Sequence, residues 1–312
     1  QSSGKFPMNH NPLKVIYIAG WGRSGSTLLA RILGQVDGVA HMGELRTIWT
    51  DGFKSKSVCG CGTPTHDCEV WQAIMNQAFG GIEQVDLPAM VQLRRQSEPK
   101  TSELLKFLVS SNKAKRFLHN SESYRHVLEK LYGSIQNVCG AEAIVDDSLH
   151  PGYAYALASV PNLEVFLVHL IRDARGCTYS WEKRCKNGLG SYTLKDSALG
   201  WDLRNIATET LRKHPNIKYH QLRYEDFVNH PQESAKAILE FAEMPTNSLT
   251  FSSPSTVALE ATHSIFGNDN RAETGTISLR LDEVWKKKMP LVDQLKVCSM
   301  TWPLLLKYQY MP

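Results

Sequence analysis

The 312-residue chain is short of several features that would each have decided its class. No apolar run approaches the ~20 residues of a membrane span, so a helical membrane protein is not expected. Net charge is only +4, too mild a surplus to point to nucleic acid. Seven cysteines, an odd number in a long chain, do not suggest a disulfide scaffold. There is no internal repeat, linker or low-complexity segment. What remains is ordinary globular composition, 42% hydrophobic and 21% charged, with enough length for one large core. Gln1-Ser2-Ser3-Gly4 reads as a tag remnant, with residues 1–13 as tail and Met8 as a natural start. That leaves no room for a signal peptide and favours the cytoplasm.

The most informative stretch runs from Val15 to Leu33. Val15-Ile16-Tyr17-Ile18 reads as a buried strand, Gly20 and Gly22 break it, and Leu28, Leu29, Ile32 and Leu33 return at helical spacing. Strand, glycine loop and helix make a phosphate cradle, because backbone N–H groups turn inward and the helix N-terminus adds unpaired donors. Ser26 and Thr27 add hydroxyls, and Arg23 adds a forked cation suited to phosphate oxygens. The spacing nearly fits G-x-x-x-x-G-K-[ST], but Ser26 stands where that motif has lysine. A P-loop kinase or NTPase would need that lysine, so it is the second-ranked reading.

Later segments supply further candidates. Val39–Met42 reads as a short second strand, followed by Glu44 and Arg46 near the cradle. Ala143–Asp146 is a third strand leading to Ser148, Leu149, His150 and Pro151. Leu163–Ile171 is nearly continuously apolar, as a central parallel strand would be, with His169 as a core histidine. It ends in Arg172-Asp173, and a helix follows in which Ser180 lies two turns on, so Arg172 and Ser180 can converge on one anion. Ile217–Leu222 is a fifth strand, Tyr224 follows it, and Pro231–Phe241 is a helix.

Gly22-Arg23-Ser24-Gly25-Ser26-Thr27-Leu28-Leu29 resembles the 5′-phosphosulfate loop of sulfotransferases that use PAPS (3′-phosphoadenosine 5′-phosphosulfate). Leu170-Ile171-Arg172-Asp173-Ala174-Arg175 with Ser180 resembles their 3′-phosphate motif, with Ala174 where proline is usual. The resemblance runs on from Lys14 almost to the end. It implies one α/β domain, a parallel sheet flanked by helices in the P-loop-like sulfotransferase fold, with residues 50–142 inserted as a helical cap. It implies PAPS as donor and PAP as product. Arg23, Ser24, Gly25, Ser26, Thr27 and Leu28 would hold the 5′-phosphosulfate, and Arg172, Ser180 and Arg271 the 3′-phosphate. Gly275 belongs to the same closing loop, and Tyr224 either packs near the nucleotide or anchors its helix. Glu44 would be the general base, with Arg23, Arg46 and His150 completing the catalytic set. The family's V-D-S-S-K-x-P becomes Val145-Asp146-Asp147-Ser148-Leu149-His150-Pro151, so its lysine is missing and His150 is a partial substitute. That loss is the one support for a non-catalytic PAP-binding regulator. The acceptor implied is a small molecule, a hydroxyl first and an amine or guanidine nitrogen second; no nucleic-acid or membrane partner is expected.

Cys59, Cys61 and Cys68, with His66 nearby, have enough ligands for zinc. The C-x-C-x6-C spacing departs from paired C-x2-C ligands, and His66 is close to Cys68 for independent ligation. Structural cysteines, free or disulfide-linked and without metal, are therefore preferred. Helices are expected over Glu69–Phe79, Leu87–Gln96, Thr101–Val109 and Ser121–Val138, the last capped by Ser121. Arg94-Arg95 and Lys113, Lys115 and Arg116 are read as a solvated face.

Overall fold

The computed structural model describes residues 12–53, 57–107, 117, 121–188 and 191–311. The elements in order are β1 (Leu13–Gly20), α1 (Ser26–Leu33), β2 (Val39–Gly43), α2 (Glu69–Phe79), α3 (Leu87–Ser97), α4 (Thr101–Phe107) and α5 (Glu122–Cys139). Next come β3 (Ala143–Leu149), α6 (Pro151–Leu157), β4 (Leu163–Ile171), α7 (Ala174–Lys186), α8 (Leu194–Thr210) and β5 (Ile217–Arg223). The chain closes with α9 (Tyr224–Asn229), α10 (Pro231–Phe241), β6 (Thr256–Leu259), β7 (Gly275–Ser278), α11 (Val284–Lys288) and α12 (Leu291–Lys307). Val109, Lys113, Lys115 and Arg116 lie outside the described residues.

Five strands form one parallel sheet in the order β2-β3-β1-β4-β5. The order reverses about β1, so crossovers run to both sides and the loops after the strands share one edge. Near-continuous apolar strands result because both faces are covered. Val15, Tyr17, Val165 and Leu167 face a core with Trp71, Leu128 and Leu131 from the insertion between β2 and β3. Ile16, Ile18, Phe166 and Val168 face the opposite core with Leu29, Leu33, Ile238 and Leu239. Beyond the end of β4, Trp21, Trp201, Trp285 and Tyr308 form a third cluster. The two edge strands differ. Gly43 at the end of β2 is bridged to Ile265, whereas β5 carries exposed Lys218, paired with Glu164 at 2.8 Å and Glu243 at 2.7 Å.

Three local expectations change. Ser121 does not cap α5: its hydroxyl donates to the carbonyls of Phe117 (2.8 Å) and Ser97 (3.3 Å), binding the helix to its neighbour. Arg94 is not solvated; it is buried and donates to Glu98 at 3.0 Å, one helical turn on. β3 continues past Asp146 to Leu149, which takes a left-handed φ of 63°, so Asp147 and Ser148 belong to the strand. Helix α8 was not anticipated, although Thr193 and Asp196 form a capping box at its start.

Candidate active site

The loop from β1 to α1 lies at the sheet's carboxyl edge. Gly25 is the N-cap of α1 with a φ of +88°, and a Cβ there would stand 2.9 Å from the Tyr224 ring, so both backbone and space require glycine. Ser24, Ser26 and Thr27 are buried, and the Ser24 hydroxyl donates to the Trp21 carbonyl. The first-turn N–H groups of α1 have no acceptor within the helix and open onto the loop. Leu28, by contrast, packs its side chain against the core on the α1 face of the sheet; only its backbone is available to an anion.

Arg23 joins this loop to two distant segments. Its Nε donates to Ser180 Oγ at 3.0 Å and its Nη1 to Asn268 Oδ1 at 2.6 Å. Arg172, buried at the end of β4, donates from Nη1 to the Arg23 carbonyl at 2.9 Å. Its Nη2 reaches the Asp282 carbonyl (2.9 Å) and Oδ2 (3.0 Å), and its guanidinium stacks 4.5 Å from the Tyr224 ring centre. Arg172 and Ser180 thus converge, as expected, but on Arg23. Tyr224 opens α9, and its ring lies against Gly25 while its hydroxyl accepts from the Asp282 N–H at 3.3 Å.

Glu44 follows β2, held by its N–H to the Ile265 carbonyl at 2.9 Å. Burial pushes its carboxyl well above the usual carboxylate range; the charges of Asp147 and Asp146 add to this and Arg46 opposes it. Arg46 does not point its charge at an open site. Its Nε contacts both Glu98 oxygens, at 2.8 and 2.9 Å, and its backbone N–H donates to Ser148 Oγ at 3.0 Å. His150 lies 2.6 Å from the same Glu98 through Nδ1. Burial lowers His150 to about 4, outweighing the carboxylate beside it, so the imidazole is neutral at pH 7. Glu98 is pushed up by burial, but His150 and Arg46 together hold it at about 2. His150 is further fixed through its backbone, whose carbonyl and N–H both meet the Tyr17 hydroxyl, at 2.9 and 3.0 Å.

Two residues of this corner were not anticipated. Glu98 arrives from the segment after α3. Arg204, from α8, donates to the Leu149 carbonyl at 3.3 Å and lies 5.8 Å from the Trp21 ring centre. It brings a cation to the strand end where the family's lysine is missing. Neither has a sequence signal beyond being charged. Arg271 donates to the carbonyls of Ser264 (3.1 Å) and Val58 (2.7 Å), and Gly275 opens β7 opposite Leu259 with open space around it.

A doubly wound sheet with a glycine-containing loop at its switch point defines a P-loop-like fold. Residues 15–248 match the model of the sulfotransferase family, and the chain belongs to that family. A search of curated protein sequences finds no match. Among solved structures, the sulfotransferase domain of the Synechococcus PCC 7002 olefin synthase is similar at 19% identity and a TM-score of 0.53, over 94% of this chain and 95% of that one. The sulfotransferase domain from the curacin biosynthetic pathway is similar at 17% identity and a TM-score of 0.50, over 93% of this chain and 97% of that one. At these identities the likeness concerns the fold, a parallel five-strand sheet flanked by helices. No helix among the described residues is long and apolar enough to cross a membrane.

Proposed function

We propose that this sulfotransferase takes its sulfuryl group from PAPS and delivers it to a hydroxyl, or secondarily an amine or guanidine nitrogen, of a small-molecule acceptor, with Glu44 as general base. The observation that carries the reading is Arg23, whose guanidinium meets Ser180 while its carbonyl takes Arg172. The two anion-binding signatures therefore meet at one residue of the cradle. Ser24, Gly25, Ser26, Thr27 and the backbone of Leu28 suit the 5′-phosphosulfate, and Arg172 and Ser180 the 3′-phosphate. Arg172 already holds one anionic group, Asp282, at 3.0 Å.

The acceptor proton goes to the Glu44 carboxylate as the acceptor oxygen forms its bond to sulfur. The bond from sulfur to the 5′-phosphate oxygen breaks, and PAP leaves with that electron pair. A raised Glu44 suits the task, since a base works best with a pKa near the operating pH. Arg23 and the α1 amides stabilise charge on the transferring group and the leaving phosphate. Arg46, two residues on from Glu44, and His150 are both tied to Glu98, and Arg204 brings a cation to the lost lysine position.

Transfer of radiolabelled sulfuryl from PAPS across a mixed acceptor panel tests the reading. Labelled product with wild type, and labelling slower by about 10²–10⁴-fold with Glu44→Gln, is expected. Thermal stabilisation by PAP with no transfer to any acceptor would favour a regulatory protein, and stabilisation by ATP with magnesium but not by PAP would return the kinase.

A further inference from the structure

Cys59, Cys61 and Cys68 come from one short segment and His263 from a loop near the other end of the chain. Their three sulfurs and the imidazole nitrogen all lie within 4.8 Å of one another. We propose that these four side chains form a structural zinc site that staples the segment after β2 to the loop beside Glu44. The assignment does not depend on which group the protein transfers.

Three of the six ligand–ligand distances approach those of a tetrahedron around one ion. Thiolates at ~2.3 Å and an imidazole at ~2.0–2.1 Å from a tetrahedral zinc stand about 3.5–3.8 Å from each other. His263 Nδ1 is 3.3 Å from Cys68 Sγ and 3.9 Å from Cys59 Sγ, and the sulfurs of Cys61 and Cys68 are 3.8 Å apart. Three thiols cannot all be paired as disulfides, and none of the three is bonded to another. A two-iron cluster would hold its ligands farther apart than this. Cysteine-rich, tetrahedral and closed is the donor set of structural zinc, with no position left for a catalytic water. His66, the histidine that the spacing suggested, is not part of the group: its Nε2 is 2.8 Å from the Phe53 carbonyl.

The backbone around the four ligands is also built. The Cys59 N–H donates to the Thr63 carbonyl at 2.8 Å and the Gly62 N–H to the Cys59 carbonyl at 2.9 Å, closing a knuckle around Cys61. The Gly60 N–H donates to the Ser264 carbonyl at 2.9 Å, and a Cβ on Gly60 would sit 2.4 Å from the Thr262 carbonyl oxygen; only glycine lets the knuckle lie this close to the loop that carries His263. Trp71 Nε1 fixes the His263 carbonyl at 2.8 Å. Arg271 spans both segments through Val58 and Ser264. The loop so anchored supplies Ile265 to the backbone of Met42 and Glu44, and Asn268 to Arg23. The ion would therefore fix the wall of the site that faces the base.

The test uses the full chain, expressed in zinc-replete medium and purified under reductant without chelator. Elemental analysis is expected to find about one zinc per chain, as a closed four-ligand site requires. His66→Ala should keep that zinc, and His263→Ala should retain several-fold less in competition with a chromophoric chelator. Cysteine variants that fail to fold are replaced by a second measurement: wild type stripped and reloaded with cobalt should show the visible bands of tetrahedral cobalt and near-ultraviolet thiolate charge transfer. Folded protein that holds no zinc and gives no such spectrum overturns the proposal. So does equal zinc retention in the two histidine variants, or a Cys61–Cys68 disulfide in unreduced protein.

Discussion

The β1–α1 loop, proposed as the phosphate cradle, and the thiol–imidazole group are both anchored within the first 70 residues, yet they are assembled in opposite ways. The cradle is one continuous stretch whose donors are mostly backbone, shaped by Gly25 and the start of α1. The thiol–imidazole group consists of side chains, and its fourth member reaches it only when the chain near residue 263 folds back. A site made of backbone and near neighbours survives the loss of single side chains better than one in which each side chain is a quarter of the coordination. The two regions meet at the loop carrying Ile265 and Asn268, so perturbing either reports on the other.

The largest expected effect lies between them. Glu44→Gln keeps the shape and removes the proton acceptor, and turnover should fall by about 10²–10⁴-fold, with PAP affinity in calorimetry nearly unchanged. Wild-type turnover in this variant would move the base elsewhere. Next, Arg172→Ala should weaken PAP by roughly 2–5 kcal/mol, the usual loss when a buried hydrogen-bonded charge is truncated. Adenosine 5′-phosphosulfate, which lacks the 3′-phosphate, should lose less; equal losses would assign Arg172 to folding through the Arg23 carbonyl.

Stability offers a third comparison. Saturating PAP, at a hundred times its Kd, should add about 2.7 kcal/mol to unfolding free energy, seen as a raised Tm, with ATP and magnesium adding much less. Chelation should lower Tm in wild type and leave His263→Ala almost unmoved. A pH series comes fourth. Glu44 works as a base only when ionised, and its pKa is raised, so kcat/KM should climb with pH up to that raised pKa and flatten above it. An activity flat in pH would remove Glu44 from the rate equation. The smallest effect is Ser180→Ala, which deletes one acceptor for Arg23 Nε and should cost about 1.5–3 kcal/mol of loop or nucleotide binding, as hydrogen bonds to charged groups do.

The cradle, the central strand and the helix Ala174–Lys186 were legible because each is set by local rules: β-branched runs, glycine at a break, apolar spacing on one face. The approach of Arg172 and Ser180 to one residue was legible because Arg172 ends the strand and Ser180 lies two turns into the helix that follows it. Glu98, Arg204 and His263 were not. Each is an ordinary charged or polar residue whose meaning comes from what tertiary packing puts beside it, and no spacing encodes that. The spacing rule pointed to His66 because it is near in sequence; the folded chain offers His263 because it is near in space. Arg271, which the resemblance assigns to a phosphate, donates to the carbonyls of Val58 and Ser264.

The unlike edges of the sheet bear on how the protein behaves when concentrated. An open strand edge is a template for another chain, and proteins blunt such edges with covering segments or charge. β2 is sealed at its end by Ile265, so any treatment that loosens the 262–268 loop also uncovers a place for intermolecular pairing. β5 relies on Lys218, whose ammonium sits among Glu164, Glu243 and the Phe166 ring. Solubility on the β2 side thus depends on the same loop that holds Glu44, while on the β5 side it depends on the exposed Lys218, and aggregation should start from β2 when the thiols are oxidised and from β5 when Lys218 is neutralised.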